Sequence, residues 1–358
     1  MEISIDRVPT EQLKAKPQNN NLGFGNIFTD HMFVMEYNEA EGWHQARICP
    51  YRTFSLDPAA MVLHYGQAIF EGLKAYRGKD DKIFFFRPED NLRRLNNSAL
   101  RMCMPEVDRT EIRKALKKLV DIEQDWVPAS QGSSLYIRPT MVATEPGLGV
   151  RPAREYMFFI ILSPVGAYYP EGFNPVTISV TDKYVRAVRG GVGNVKTAGN
   201  YAASIMAAVE AQQQGYTQVL WLDAVERRYV EEVGTMNIFF VIGDELITPP
   251  LSGSILPGIT RDCVLKLAGD WGWRAVERPI TIDEVFEAAG TGSLKEVFGT
   301  GTAAVISPVG ALHYKGDNCT VNGGEAGELA RRLFEELQDM QYGYKEDPYG
   351  WVSQLADL

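Results

Sequence analysis

Arg189-Gly-Gly-Val-Gly-Asn-Val-Lys-Thr-Ala-Gly-Asn-Tyr201 is the stretch on which the reading of this chain turns. Its glycines beside a Lys-Thr pair look at first like a phosphate-binding loop. A P-loop, however, requires Gly directly before the lysine, and Val195 stands there. The glycines instead suit a loop whose backbone comes close to a ligand, delivering Lys196 just ahead of a helix expected to start near Tyr201. A lysine so placed is either a solvated cation or an amine in low-charge surroundings, where a lowered pKa makes it a nucleophile able to form a Schiff base. The segment alone leaves both readings open.

Outward from this loop the texture is α/β and α+β. Before it, Met32 to Tyr37, Lys82 to Phe86, Ser134 to Thr140 and Tyr156 to Leu162 read as strands, the last apolar enough to be buried on both faces. Pro88 to Met102 and Glu111 to Gln124 read as helices, the first opened by a proline and carrying Leu92, Leu95 and Leu100 on one face. After it come strands at Val176 to Val180, Gln218 to Asp223 and Asn237 to Ile242, and helices at Tyr201 to Gln214, Ile259 to Gly272 and Gly324 to Met340. The Gly, Pro and Tyr-rich run Ser163 to Pro175 reads as a linker. The expected organisation is a small N-terminal α/β domain over 1–162, a linker over 163–175 and a large C-terminal α/β domain over 176–358. The tail Gln341 to Leu358 is too irregular to place.

A length of 358 residues exceeds what one hydrophobic core usually serves, which also favours two domains. With 45% hydrophobic and 23% charged residues the chain is an ordinary globular one. The 36 basic against 46 acidic residues give a net charge of -10, which disfavours nucleic acid and anionic membranes as partners. Cys49, Cys103, Cys263 and Cys319 lack metal or redox spacing, and His31, His44, His64 and His313 lack HExxH spacing, so no metal site is expected. The N-terminal residues show no secretory or transit pattern, and the longest apolar stretch, Met157 to Val165, is too short to span a bilayer; a cytoplasmic location is expected.

A series of segments then becomes specific: Glu71-Gly-Leu-Lys-Ala-Tyr76, Phe86-Arg-Pro-Glu-Asp-Asn-Leu-Arg-Arg94, Tyr136-Ile-Arg-Pro139, Asn194 to Tyr201, Glu231-Glu-Val-Gly-Thr-Met-Asn237 and Leu256-Pro-Gly-Ile-Thr-Arg-Asp262. In this order, from about Gly23 to beyond Thr302, they resemble the motif series of the branched-chain aminotransferases, which belong to the fold-type IV pyridoxal-phosphate enzymes. The resemblance implies a two-domain architecture like that of D-amino-acid aminotransferase, pyridoxal 5′-phosphate as cofactor, and a homodimer. It further implies reversible transfer of an amino group between L-leucine, L-isoleucine or L-valine and 2-oxoglutarate.

Site roles follow from the same resemblance. Lys196 would carry the cofactor and move the proton between Cα and C4′ as base and acid. Glu232 would face the pyridine nitrogen; its bland alternative is a surface carboxylate beside Glu231. Tyr201 would hydrogen-bond the phenolic O3′, where a helix-start packing residue is the alternative. Arg94 would clamp the phosphate with a planar, permanently charged fork, as would the Ile259 and Thr260 amides at a helix start. Thr302 and Ala303, in Gly299-Thr-Gly-Thr-Ala-Ala304, would hold the substrate α-carboxylate, Thr302 also touching the cofactor. Tyr65, Phe70 and Tyr136 would wall the aliphatic side chain, and Arg138 would engage the γ-carboxylate of glutamate.

Mammalian members of the family carry a CxxC pair just after the glycine turn, whereas this chain has Ala304 and Ser307, which points to a microbial, biosynthetic enzyme. Alternatives within the fold are a D-amino-acid aminotransferase or an aminodeoxychorismate lyase, against which the Glu71-Gly and Tyr136-Ile-Arg-Pro139 segments argue. A cofactor-free Schiff-base aldolase and a noncatalytic binding protein are alternatives of other classes.

Overall fold

The computed structural model describes residues 1–17, 22–166 and 173–358, so the middle of the expected linker, 167–172, lies outside the described residues. The chain forms two compact units: Met1–Tyr168 with Lys196–Ala198 and Gln338–Leu358, and Tyr169–Val195 with Gly199–Leu337. The tail and Lys196–Ala198, which the expected C-terminal domain over 176–358 includes, thus group with the first unit. Residues 163–165 finish a strand.

In the first unit lie β1 (Ser4–Ile5), β2 (His31–Asn38), β3 (Gly42–Pro50), β4 (Ala68–Phe70), β5 (Leu73–Arg77), β6 (Ile83–Phe86), β7 (Ser134–Ala143) and β8 (Glu155–Val165). With a strand at Val352–Gln354 they make a nine-stranded sheet in the order β1-β3-β2-β8-β7-β5-β6 and then the C-terminal strand, β4 pairing with β7. Among the described residues of this sheet, β1 and β3 alone pair in parallel. The unit's helices are α1 (Met61–Tyr65), α2 (Pro88–Arg101) and α3 (Arg109–Ile122). Pro88 opens α2, and the Asp108 carboxylate accepts the Thr110 and Glu111 amides at the start of α3.

Leu92, Leu95 and Ala99 of α2 and Ile112, Leu116 and Leu119 of α3 are buried in one cluster with Leu73, Ala75, Leu135 and Ile137 of the sheet. Each such leucine contributes about 1.5–3 kcal/mol by leaving water. Strand side chains alternate between faces, so Lys74, Tyr136, Arg138 and Ser163 project on the other face. Register fixes their neighbours: Lys74 pairs with Tyr136 across β5 and β7, and Tyr136 with Ser163 across β7 and β8.

The second unit holds β9 (Val176–Thr181), β10 (Gln218–Leu222), β11 (Val230–Val233), β12 (Asn237–Ile242), β13 (Glu245–Thr248), β14 (Arg274–Glu277), β15 (Leu294–Gly301), β16 (Val305–Tyr314) and β17 (Asp317–Thr320). Their order is β11-β10-β9-β16-β15-β12-β13-β14, with β17 on β16. This sheet is mixed: β9 runs parallel to β10 and β16, and β13 parallel to β14. Its core includes the fully buried Trp221, Phe239, Phe240 and Phe298.

Beyond Lys196 come α4 (Ala198–Ala202), α5 (Ile205–Gln213), α6 (Ile259–Asp270), α7 (Ile282–Gly290) and α8 (Glu328–Gln341). The single helix expected over Tyr201 to Gln214 is therefore two short ones, the first starting at Ala198. Between them the Ser204 hydroxyl donates to the Tyr201 carbonyl at 2.7 Å, a local bond that competes with helix continuation. The helix expected from Gly324 begins at Glu328, because Gly323 and Gly324 adopt positive φ. Among the described residues no helix is long and apolar enough to cross a membrane, and no cluster of His, Cys, Asp and Glu could hold a metal ion.

Candidate active site

Lys196 is fixed by its backbone before its side chain does anything. Its amide donates to Ser98 Oγ at 3.0 Å and its carbonyl accepts the Phe70 amide at 3.0 Å. Thr197 reinforces the seam, forming a bridge with Ile69 and donating its hydroxyl to the Ala68 carbonyl at 2.8 Å. The loop is thus joined to β4 by an isolated bridge. Lys196 is half-buried, and its Nζ lies 5.1 Å from the Phe70 ring centroid.

Arg94 sits on the buried side of α2, which removes its reading as a solvated helix arginine. Its Nε donates to Glu71 Oε1 at 2.7 Å and its Nη2 to Glu71 Oε2 at 3.0 Å, a two-pronged pair that fixes the plane of the guanidinium. Asn91 Nδ2 adds a bond to Glu71 Oε2 at 2.9 Å. Glu71 is fully enclosed. Burial by itself would raise its pKa, but the charges of Arg94 and Lys196 and the bonds from Arg94 and Asn91 hold it below the ordinary carboxylate value.

Phe70, Tyr136 and Arg138 come together as the sequence suggests. The Arg138 guanidinium lies 4.7 Å from the Phe70 ring centroid and 5.2 Å from that of Tyr136, and its Nη2 donates to the Tyr136 hydroxyl at 3.1 Å. A Cβ on Gly72 would fall 1.9 Å from that hydroxyl, so only glycine lets the Tyr136 ring lie where it does. Phe24 meets the Tyr136 ring edge-on at 5.0 Å. Tyr65 stands apart from this group in character: it is exposed at the end of α1, its hydroxyl donating to the Leu148 carbonyl.

In the second unit, Tyr201 and Glu232 line one pocket with Arg186, Asn200, Ser204, Gly234, Thr235 and Leu256. Glu232 is 3% exposed, which excludes the surface-carboxylate reading. Arg186 Nε lies 2.6 Å from Glu232 Oε2, and Asn237 Nδ2 donates to Glu232 Oε1 at 2.9 Å. Glu231, the next residue on β11, is also buried but takes the Ser254 hydroxyl instead. Asn237 also donates to the Leu256 carbonyl at 2.9 Å, tying Glu232 to the loop that enters α6. A Cβ on Gly258 would fall 1.9 Å from Asn237 Oδ1, so this approach needs glycine. Ile259 and Thr260 are the first residues of α6, where helix amides point outward with the positive end of the dipole. Thr302 and Ala303 are half-buried in the turn between β15 and β16.

The motif series omits Phe24 and Arg186 and gives no role to Glu71 or Asn237, although both stand inside quoted segments. Register could have found Asn237, which closes its segment; nothing local marks Phe24 or Arg186.

The side chains suit pyridoxal 5′-phosphate by their chemistry. One unit offers an amine for its aldehyde and an oriented guanidinium for its phosphate. The other offers a buried carboxylate for a ring nitrogen, a phenol for a ring hydroxyl and a glycine-opened helix end for an anion.

Comparison with known proteins agrees. Residues 68–312 match the amino-transferase class IV family. Branched-chain-amino-acid aminotransferase 2 of Bacillus subtilis (strain 168) is 53% identical over 349 residues, covering 98% of this chain and 96% of that one. Branched-chain-amino-acid transaminase 1 of the same strain is 54% identical over 352 residues, covering 98% and 99%. Among solved structures, the Escherichia coli branched-chain amino acid aminotransferase shares 27% identity at a TM-score of 0.75, covering 90% of this chain and 99% of that one. The T.th. branched-chain amino acid aminotransferase solved with pyridoxamine 5′-phosphate shares 27% at 0.74, covering 90% and 98%. With the family match spanning most of the chain and these relatives covering nearly all of it, the chain belongs to the amino-transferase class IV family.

Proposed function

We propose that this enzyme is a branched-chain-amino-acid transaminase that works through pyridoxal 5′-phosphate on Lys196, passing the amino group of L-leucine, L-isoleucine or L-valine to 2-oxoglutarate and back. The observation that carries the reading is Glu232: a carboxylate buried in a pocket wall beside Tyr201, locked by Arg186 and Asn237. A structural carboxylate has no need of a pocket.

When bound, the cofactor supplies the aldehyde that takes up the amino group and the ring that accepts the electron pair released at Cα. The protein's residues do the rest. Lys196 Nζ, on a backbone pinned to β4, takes the proton from Cα and returns it to C4′. Glu232 holds a proton at the ring nitrogen, and Tyr201 donates to the ring hydroxyl oxygen. Arg94, with the Ile259 and Thr260 amides and the Thr260 and Thr302 hydroxyls, binds phosphate oxygens. The Thr302 and Ala303 amides hold the substrate α-carboxylate. Phe70 and Tyr136 exclude water around an aliphatic side chain, worth about 0.8 kcal/mol per methylene. Arg138 receives the γ-carboxylate of glutamate, so one pocket serves both partners.

The enzyme acts as a homodimer or a larger assembly in the cytoplasm, in branched-chain amino-acid biosynthesis. In support of an assembly, Leu63, Leu148 and Val150 are exposed on α1 and the neighbouring turn, which is bonded to α1 through Tyr65 and to the residues just before α1 through the Gly147 amide on the Ala59 carbonyl. Apolar patches of this kind mark association surfaces. Tyr65 lies on that patch, which suits a role at an assembled site. The Lys196→Ala comparison tests the catalytic reading. Wild type should show a band above 400 nm that L-leucine bleaches and 2-oxoglutarate restores, while the variant should not turn over; a cofactor-loaded wild type indifferent to all three amino acids would sink the substrate assignment.

A further inference from the structure

The sheet face that carries Tyr136 and Arg138 holds two further polar groups to which the motif series gives no work. Lys74 is 6% exposed. It stands directly across from Tyr136, with Arg138 on the diagonal, which places Cβ atoms roughly 5 and 7 Å away. On the far side of Tyr136, Ser163 is its direct partner on β8, 4% exposed, and its Oγ has no hydrogen-bond partner among the described residues. Arg138 Nε is likewise buried without one.

One row of the sheet therefore presents a buried ammonium, a phenol and an unsatisfied hydroxyl, with a guanidinium in the next row. All of them donate, and a buried donor that the fold leaves unsatisfied, as at Ser163 Oγ and Arg138 Nε, marks the place of an absent acceptor. A branched aliphatic side chain offers none. The distal carboxylate of a five-carbon dicarboxylic amino or oxo acid offers two oxygens and a charge. Tyr136 leans toward Gly72, its hydroxyl lying 1.9 Å from where a Gly72 Cβ would stand.

We infer that Lys74, seconded by Ser163, is a specificity-determining residue that joins Arg138 in binding the distal carboxylate of glutamate and 2-oxoglutarate. The inference rests on the transaminase reading above and deepens it. Lys74 helps the dicarboxylate half of the reaction and does little for the aliphatic half. Burial holds the amine below its ordinary lysine pKa, to about 8, so that it is mainly charged at neutral pH.

The test measures the two half-reactions separately on cofactor-loaded protein, following the absorbance change in single turnovers with L-leucine and with L-glutamate. Variants are Lys74→Met, Lys74→Arg and Ser163→Ala. In Lys74→Met the loss in kcat/KM for glutamate should exceed that for leucine by about tenfold or more, appearing in the apparent dissociation constant rather than the limiting rate. Lys74→Arg should recover most of that difference, and Ser163→Ala should show a smaller bias of the same sign. Equal losses for the two substrates, or no loss for glutamate, would overturn the inference. A wild type that ignores leucine strikes the transaminase reading instead, and a thermal melt identifies any variant that fails to fold, in which case Lys74→Arg and Ser163→Ala decide the matter.

Discussion

A buried lysine works against folding at neutral pH, and Lys74 illustrates how much. Burial moves it from 10.5 to about 8. At neutral pH this amounts to about 3 kcal/mol against folding, at roughly 1.4 kcal/mol per tenfold change in proton affinity. The folded protein loses this proton near pH 8 while the unfolded chain keeps it to about 10.5, so the penalty is complete below pH 8 and fades as pH rises toward 10.5. Lys74→Met should therefore stabilise the protein at pH 7 and lose that advantage by pH 10; urea unfolding at both values checks it, and a gain independent of pH would contradict it. Glu71 carries the opposite sign. Its pKa is held below the ordinary carboxylate value, so it stabilises above that value and the benefit goes as pH falls through its lowered pKa. Glu71→Gln leaves Arg94 buried without its countercharge and should cost about 3 kcal/mol in denaturant unfolding, with weaker retention of pyridoxal phosphate on equilibrium dialysis. Neither group was legible as functional in the sequence. The motif series gives roles to residues proposed to touch ligand, such as Lys196 and Glu232. Glu71 acts through Arg94, 23 residues away, and Lys74 acts across a sheet register that no local pattern announces.

Elements with strong local signals were the ones the sequence placed well. The helix from Pro88 has a proline start and a one-sided leucine face, and the apolar run from Tyr156 becomes a central strand. The strand Gly42–Pro50 had no such signal, its inward positions being mixed with His44, Gln45 and Arg47. The start of α8 was misjudged for a different reason: its capping group is remote. The Glu296 carboxylate on β15 accepts the Leu329 and Ala330 amides at 2.9 Å each, doing from 33 residues upstream what a capping side chain does locally. Glu296→Ala should cost about 1–2 kcal/mol, read as a lower unfolding midpoint at unchanged denaturant slope. Gly327, whose Cβ would fall 1.9 Å from the Glu296 carboxyl carbon, leaves room for that carboxylate. Gly72→Ala should displace the Tyr136 ring and lower turnover with leucine and glutamate alike, and crystals of the variant should show the ring moved.

For the whole molecule, the expectation of a homodimer can be tested by sedimentation. The 39.9 kDa chain should run at about twice its mass, and Leu148→Asp with Val150→Asp should shift it toward the single-chain value. Length favours two domains but says nothing of where the tail goes, because its pairing is made with a strand far back in the chain: Val352, Ser353 and Gln354 pair with Phe86, Phe85 and Phe84 of β6. The first unit is accordingly built from three separate pieces of chain, the shortest being Lys196–Ala198. That arrangement bears on how such a protein can be inherited. No single genetic crossover can move the first unit as a module, since a segment encoding only its leading piece would leave behind both Lys196 and the strand that closes the sheet edge. Recombination between relatives should therefore succeed only when the three pieces travel together, and chimeras joined once in the middle should mismatch the lysine to the strand that seats it.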